Sequence, residues 1–116
     1  TMGLEEIADK YRQVVKKARD SKLAPSDMGC GSITISNLGM FGVETFDPII
    51  NQPDAGILGV CAVQDELDMD DEGKIFKKQV MRISFTFDHR LIDGAVAAKF
   101  ELAIKELLED PMRILL

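Results

Sequence analysis

Apolar residues at Leu4, Ile7, Ala8, Tyr11, Val14, Val15 and Ala18 recur at the spacing of one helix face, which predicts an amphipathic helix. Lys16, Lys17 and Arg19 fall late in it, where cations suit the negative end of the helix dipole, and Ser21 to Pro25 ends it. The period then changes. Ser32-Ile33-Thr34-Ile35-Ser36-Asn37 alternates polar and apolar, which predicts a short strand with Ile33 and Ile35 toward the core and Ser32, Thr34 and Ser36 on the other side. Gly39-Met40-Phe41-Gly42 reads as a loop of constrained backbone, and no lysine follows its second glycine as a phosphate loop requires. Pro48 and Pro53 exclude a central strand between Phe46 and Pro53. Ala55 to Val63 is apolar without alternation, the mark of a strand covered on both faces. A polar turn from Asp70 to Lys74 leads into a long strand, Ile75 to Phe87, and the pair reads as a hairpin. There Met81, Ile83, Phe85 and Phe87 alternate with Arg82, Ser84, Thr86 and Asp88. From Val96 the apolar positions Val96, Phe100, Ala103, Ile104, Leu107 and Leu108 return to the helical period. They predict a helix from about Asp93 to Glu109, stopped by Asp110-Pro111. This order of elements predicts an α/β fold class: a two-layer sandwich, with a mixed sheet and helices on one face.

Bulk composition narrows the class. With 116 residues the chain is one domain or part of one, and 46% hydrophobic content reads as globular and soluble. No apolar run approaches the roughly 20 residues of a membrane helix. The start, Thr1-Met2-Gly3-Leu4-Glu5-Glu6, has no basic stretch followed by an apolar one, so no secretory signal is expected. A net charge of −6 argues against binding a nucleic-acid backbone. The acidic cluster Asp65-Glu66, Asp68, Asp70-Asp71-Glu72 reads as a solvated loop and lacks the ligand pattern of a calcium site. Cys30 and Cys61 form no C-x-x-C pair and have no second histidine near them. They read as buried free thiols of a reducing compartment, and no metal site is expected.

The candidate chemistry centres on His89, the only histidine. It lies where the strand period gives way to the helix period, and such connections often carry function. Asp88 and Arg90 flank it, and Asp93, four residues on, is a candidate N-cap for the following helix. A metal site from Asp88, His89 and Asp93 rests on residue types alone. A serine-hydrolase triad lacks its G-x-S-x-G elbow, since Ser36 stands in Thr34-Ile35-Ser36-Asn37-Leu38-Gly39.

Asp88-His89-Arg90-Leu91-Ile92-Asp93-Gly94 resembles the D-H-R-x-x-D-G signature of the dihydrolipoyl acyltransferases, which form the core of 2-oxo acid dehydrogenase complexes. GSITISNLGMFG, from Gly31 to Gly42, is similar to the family's G-T-F-T-I-S-N-L-G-M-F-G. Pro48-Ile49-Ile50-Asn51-Gln52-Pro53, Ile57-Leu58-Gly59 and the stretch from Glu109 to Leu116 are also family-like. The resemblance implies a coenzyme A-dependent acyltransferase fold of the chloramphenicol-acetyltransferase type. It also implies three roles: His89 as general base toward a thiol, Ser36 as the hydroxyl that stabilises a tetrahedral oxyanion, and Asp93 as an orienting or structural residue. No cofactor-binding residue is assigned. The implied substrates are coenzyme A and a lipoyl group carried on a separate domain. Acetyl is the implied acyl group, because Asn37-Leu38-Gly39-Met40-Phe41-Gly42 is similar to pyruvate-type enzymes, whereas succinyl-type enzymes more often have glycine where Leu38 stands.

The resemblance further implies a homotrimer assembled into a hollow core, with His89 of one copy facing Ser36 of the next. The implied partners are a 2-oxo acid decarboxylase component and a dihydrolipoyl dehydrogenase, in a bacterial cytoplasm or mitochondrial matrix, with no nucleic acid and no membrane. Residues 1–116 match the C-terminal half of the family's catalytic domain. The alternatives are a non-catalytic structural core subunit or fragment of such a complex, or an antibiotic O-acetyltransferase of the same fold, whose relatives tend to carry a second histidine where Asp88 stands.

Overall fold

A computed structural model of the chain describes residues 2–28 and 31–115. Two units emerge, Thr1–Cys30 and Gly31–Leu116. In the first, helix α1 (Leu4–Arg19) has Glu5 and Glu6 in its first turn and Lys16, Lys17 and Arg19 in its last, so both ends complement the dipole. A short 3₁₀ turn, Pro25–Asp27, follows, and Lys17 Nζ pairs with Asp27 at 2.9 Å. The apolar stripe predicted from the sequence is present: Ala8 and Val15 are half-buried, and Leu4, Ile7, Tyr11 and Val14 are exposed.

The second unit is built on a three-stranded mixed sheet in the order β1 (Ile33–Asn37), β2 (Gly56–Met69), β3 (Ile75–Phe87). β1 runs parallel to β2, and β2 pairs antiparallel with β3. Helix α2 (Gly94–Glu109) follows β3 and lies on one face of the sheet, with the Phe100 ring 5.0 Å from that of Phe85. Alternation along the strands puts Ile35, Leu58 and Phe85 on this face. The other face carries Thr34, Ile57 and Thr86 in one row and Ser36, Gly59 and Ser84 in the next. The irregular segment 43–55 covers that face. The core is small: Ile57, Leu58, Cys61, Ala62 and Ala97 are its buried apolar side chains among the described residues.

Three expectations change. The β1 alternation is as predicted, but its burial is inverted. Ile33 and Ile35 are exposed, while Thr34 and Ser36 are half-buried. α2 reaches β3 and leaves the edge strand bare on that side, whereas segment 43–55 lies over the polar side. The α2 stripe is rotated: Ala97, Phe100, Ile104 and Leu107 are covered, and Val96, Ala103 and Leu108 are exposed. Asp65, Glu66 and Asp68 do not lie in a loop. They belong to β2, which runs on to Met69, and they pair across the hairpin with Lys77, Arg82 and Lys78. These exposed pairs choose the register more than they stabilise it. Cys61 is buried and free, as expected, and Cys30 lies outside the described residues.

The hairpin ladder is interrupted at one point. The β2–β3 register shifts between Val60 and Val63, leaving an extra residue in β2 at Cys61–Ala62. This bulge turns the Ala62 amide out of the ladder, and it donates instead to the Val43 carbonyl at 2.7 Å.

Candidate active site

His89 sits in the connection between β3 and α2, residues 88–93, and several bonds make that connection rigid. The Asp88 amide donates to the Ala55 carbonyl at 2.8 Å, which anchors the start of the turn to the residue before β2. The amides of Leu91 and Ile92 both donate to the Asp88 carbonyl, at 2.9 and 3.0 Å. The Asp88 carboxylate accepts from the Arg90 amide at 3.0 Å and from its guanidinium through Nε and Nη2. This local side-chain turn suits the short acidic residue that occupies it. At the far end Asp93 caps α2, its Oδ1 accepting from the Val96 amide at 2.9 Å. Both neighbouring aspartates are thus engaged in holding backbone, and neither bonds to the imidazole among the described residues.

The imidazole itself is exposed. It lies against the Phe87 ring at 4.9 Å, and Phe87 stacks on Phe85 at 5.8 Å. Phe85, Phe87 and His89 form a row at the strand spacing, backed by Phe100 of α2. One side of the imidazole is therefore fixed by packing and the rest faces outward. An exposed imidazole on a braced turn can accept and return a proton at a thiol that approaches from outside.

The side-chain and backbone hydrogen bonds from Arg90 hold the Asp88 carboxyl down to about 2. The folded value lies below the ordinary one, so the pair's contribution to stability is complete above about pH 4 and is lost as the pH falls toward 2. Asp88→Asn is expected to flatten that acid limb. Melting temperature followed against pH in both proteins checks this, and superimposable limbs would show that the pair contributes nothing.

Ser36 lies near the end of β1, half-buried, and its hydroxyl takes part in no hydrogen bond with another described residue. It stands opposite Gly59, which stands opposite Ser84. His89 lies beyond the other end of this row. From Ser84 to Phe87 the strand advances roughly 10 Å, two more residues lead to His89, and two strand spacings add about 10 Å across. A single copy of the chain therefore does not bring Ser36 and His89 together. No group of three or more His, Cys, Asp or Glu side chains among the described residues is placed to hold a metal. A groove between β3 and α2, lined by Met81, Ile83, Leu102 and Leu108, includes neither Ser36 nor His89.

Contacts that sequence reading missed brace the Ser36 side of the sheet. Thr34 Oγ1 donates to the buried carboxylate of Asp54, and Ser84 Oγ donates to the Phe46 carbonyl at 2.7 Å. These partners are 20 and 38 residues apart, beyond the reach of any local pattern.

Over residues 1–116 the chain matches the family described as 2-oxoacid dehydrogenases acyltransferase (catalytic domain). It is 42% identical over 116 residues to the dihydrolipoyllysine-residue succinyltransferase component of the 2-oxoglutarate dehydrogenase complex of Escherichia coli, covering all of this chain and 28% of that protein. It is 43% identical over 117 residues to the mitochondrial dihydrolipoyllysine-residue acetyltransferase component of the pyruvate dehydrogenase complex of Schizosaccharomyces pombe, covering 99% of this chain and 24% of that one. Among solved structures it resembles the Azotobacter vinelandii dihydrolipoamide acetyltransferase, studied for the role of a serine, a histidine and an asparagine in its catalytic mechanism. The TM-score is 0.87 at 35% identity, over all of this chain and 47% of that one. The cubic core of a pyruvate dehydrogenase multienzyme complex gives a TM-score of 0.88 at 34% identity with the same coverage. The chain thus spans about half of these solved chains and about a quarter of the curated relatives. From the strand-to-helix histidine motif, the mixed sheet and these matches, the chain belongs to the acyltransferase catalytic-domain family of the 2-oxoacid dehydrogenases.

Proposed function

We propose that the protein containing these residues transfers an acyl group from an acylated dihydrolipoyl arm to coenzyme A, at a site completed by two copies of the chain. The observation that supports this best is the separation of the two candidate groups, an exposed His89 on a braced turn and a hydroxyl at Ser36 with no partner among the described residues. Each copy offers one half at each edge of its sheet. A thiol with a pKa near about 8.5 is mostly protonated at neutral pH, so it needs a base to become a good nucleophile. His89 takes the proton of the coenzyme A thiol, and the thiolate attacks the thioester carbonyl. Ser36 of the neighbouring copy donates to the oxyanion that forms. The intermediate collapses with cleavage of the bond to the lipoyl sulfur, which recovers the proton from His89. No enzyme nucleophile is needed, so Cys61 can stay buried.

Asp93 orients this site through the helix cap. The Azotobacter vinelandii enzyme has its asparagine four residues after its histidine, and this chain has Asp93 at that spacing from His89. The serine-to-histidine spacing of that enzyme differs by one residue from the separation of Ser36 and His89. We assign acetyl as the acyl group on Leu38. Overall identity does not choose, because the Escherichia coli succinyltransferase and the Schizosaccharomyces pombe acetyltransferase are about equally similar. The assembly we infer is a trimer built into a larger core. It works with a 2-oxo acid decarboxylase and a dihydrolipoyl dehydrogenase, in the bacterial cytoplasm or the mitochondrial matrix. The exposed apolar faces of β1 and of the hairpin (Ile33, Ile35, Val63, Leu67 and Ile75) support burial against other protein.

The test is complementation in the full-length protein. His89→Ala and Ser36→Ala are each made alone and then co-expressed, and activity is read with dihydrolipoamide and either acetyl- or succinyl-coenzyme A. Each variant alone is expected to be nearly inactive. Random mixing should restore about a quarter of the sites, because a closed ring places an intact serine beside an intact histidine at that frequency. Restoration with the acetyl donor is the expected result. Two inactive variants that fail to complement in a well-formed assembly would overturn the shared site, and turnover with succinyl alone would overturn the acyl assignment.

A further inference from the structure

Ser84 is a half-buried hydroxyl in the middle of a strand, on the face opposite Phe85 and α2. Its Oγ donates to the carbonyl of Phe46, a residue outside any strand ladder whose C=O would otherwise lack a regular partner. Between Ser84 and Ser36 in the same row stands Gly59. A Cβ at position 59 would lie 2.6 Å from Ser84 Oγ and 2.9 Å from Phe46 Cζ. The missing side chain is therefore the space that the Ser84 hydroxyl and the Phe46 ring occupy together. Adjacent strands lie about 4.8 Å apart, so the ring over Gly59 sits one strand over from Ser36, on the same face of the sheet.

The segment carrying Phe46 is tied to every strand of the sheet. Thr34 of β1 donates to Asp54, the bulged Ala62 amide of β2 donates to the Val43 carbonyl, and Ser84 of β3 donates to Phe46. Of these ties only the last acts on the residue whose ring adjoins Ser36. A fixed ring there keeps water from that side of the Ser36 hydroxyl, and a hydroxyl that donates to a developing charge is worth more where water is excluded.

We propose that Ser84 is a positioning residue for Ser36: its hydroxyl, in the space left by Gly59, seats Phe46 beside the hydroxyl that meets the oxyanion. This rests on the oxyanion role proposed for Ser36. Ser84 touches no reacting atom and acts only through Phe46.

The experiment is a double-mutant cycle in the full-length assembled protein. Ser84→Ala is expected to lower kcat about tenfold, with KM for coenzyme A changed by no more than about twofold, because a misplaced donor costs rate rather than substrate binding. Ser84→Thr, which keeps the donor, should restore the rate. In a Ser36→Ala background, Ser84→Ala should cost nothing further, since the group it positions is gone. If Ser84→Ala destabilises the assembly, Ser84→Cys, similar in size and a weaker donor, carries the same cycle. Equal fold losses in both backgrounds would overturn the inference, as would full activity of Ser84→Ala beside a crippled Ser36→Ala. Full activity of Ser36→Ala itself would instead remove the role of Ser36, and this inference with it.

Discussion

His89→Ala is expected to lower kcat for acyl transfer by about 10²- to 10⁴-fold, the range for loss of a positioned general base. The histidine is exposed and lies against the Phe87 ring, so the fold should lose at most about 1 kcal/mol. Activity and stability therefore separate at this position. The check is a steady-state assay with dihydrolipoamide and acetyl-coenzyme A beside a thermal melt of the same full-length preparation. A variant that melts like the parent and turns over like the parent would sink catalysis at His89 and favour a core subunit that only organises its complex. His89→Gln is a useful companion, since it keeps a polar side chain of similar reach but cannot carry the proton.

Gly39→Val is expected to cost about 3 kcal/mol, as overpacking against backbone does. A Cβ at position 39 would lie 2.6 Å from the Cys61 carbonyl oxygen and 2.9 Å from its carbon. Those atoms belong to the bulge of β2 and cannot rotate aside as a flexible side chain would. The Gly39 amide also donates to the Asn37 side chain at 2.9 Å, which closes the turn that ends β1. Moving Gly39 away from the bulge therefore drags the end of β1, and Ser36 with it. Two effects should appear together: a melting temperature lower by roughly 10 °C in the full-length protein, and a fall in kcat larger than the population of unfolded protein explains. Gly42→Ala, at a site of open space with φ of +77°, is the contrasting variant and should cost less and leave the rate alone. Equal losses from both would remove the close approach to Cys61 as the reason for Gly39.

The elements were legible because their causes are local. The helical stripe from Leu4 to Ala18, the alternation from Met81 to Phe87, the N-cap at Asp93 and the stop at Asp110-Pro111 each lie within a few residues of what they specify. His89 was legible for the same reason: it sits at a change of period, inside a short motif. The acidic stretch misled because Asp65-Glu66-Leu67-Asp68-Met69 alternates too weakly to announce a strand. What holds that stretch extended is the partner strand, with Lys77, Lys78 and Arg82 opposite it.

By itself, then, the sequence determined the order and type of the elements, the place of His89 between strand and helix, and the family to which its motifs belong. Only the tertiary structure decided which side of β1 is covered, because that depends on where α2 stops and where segment 43–55 lies. It also decided that Ser36 and His89 belong to opposite edges of the sheet, on β1 and just beyond β3. Register is a property of two or three strands at once, and each strand's own pattern is blind to it. The Ser84–Phe46 and Thr34–Asp54 bonds, the space at Gly59 and the close approach at Gly39 are invisible for the same physical reason. Each joins residues far apart in the chain, and only the folded sheet brings them within a few ångströms.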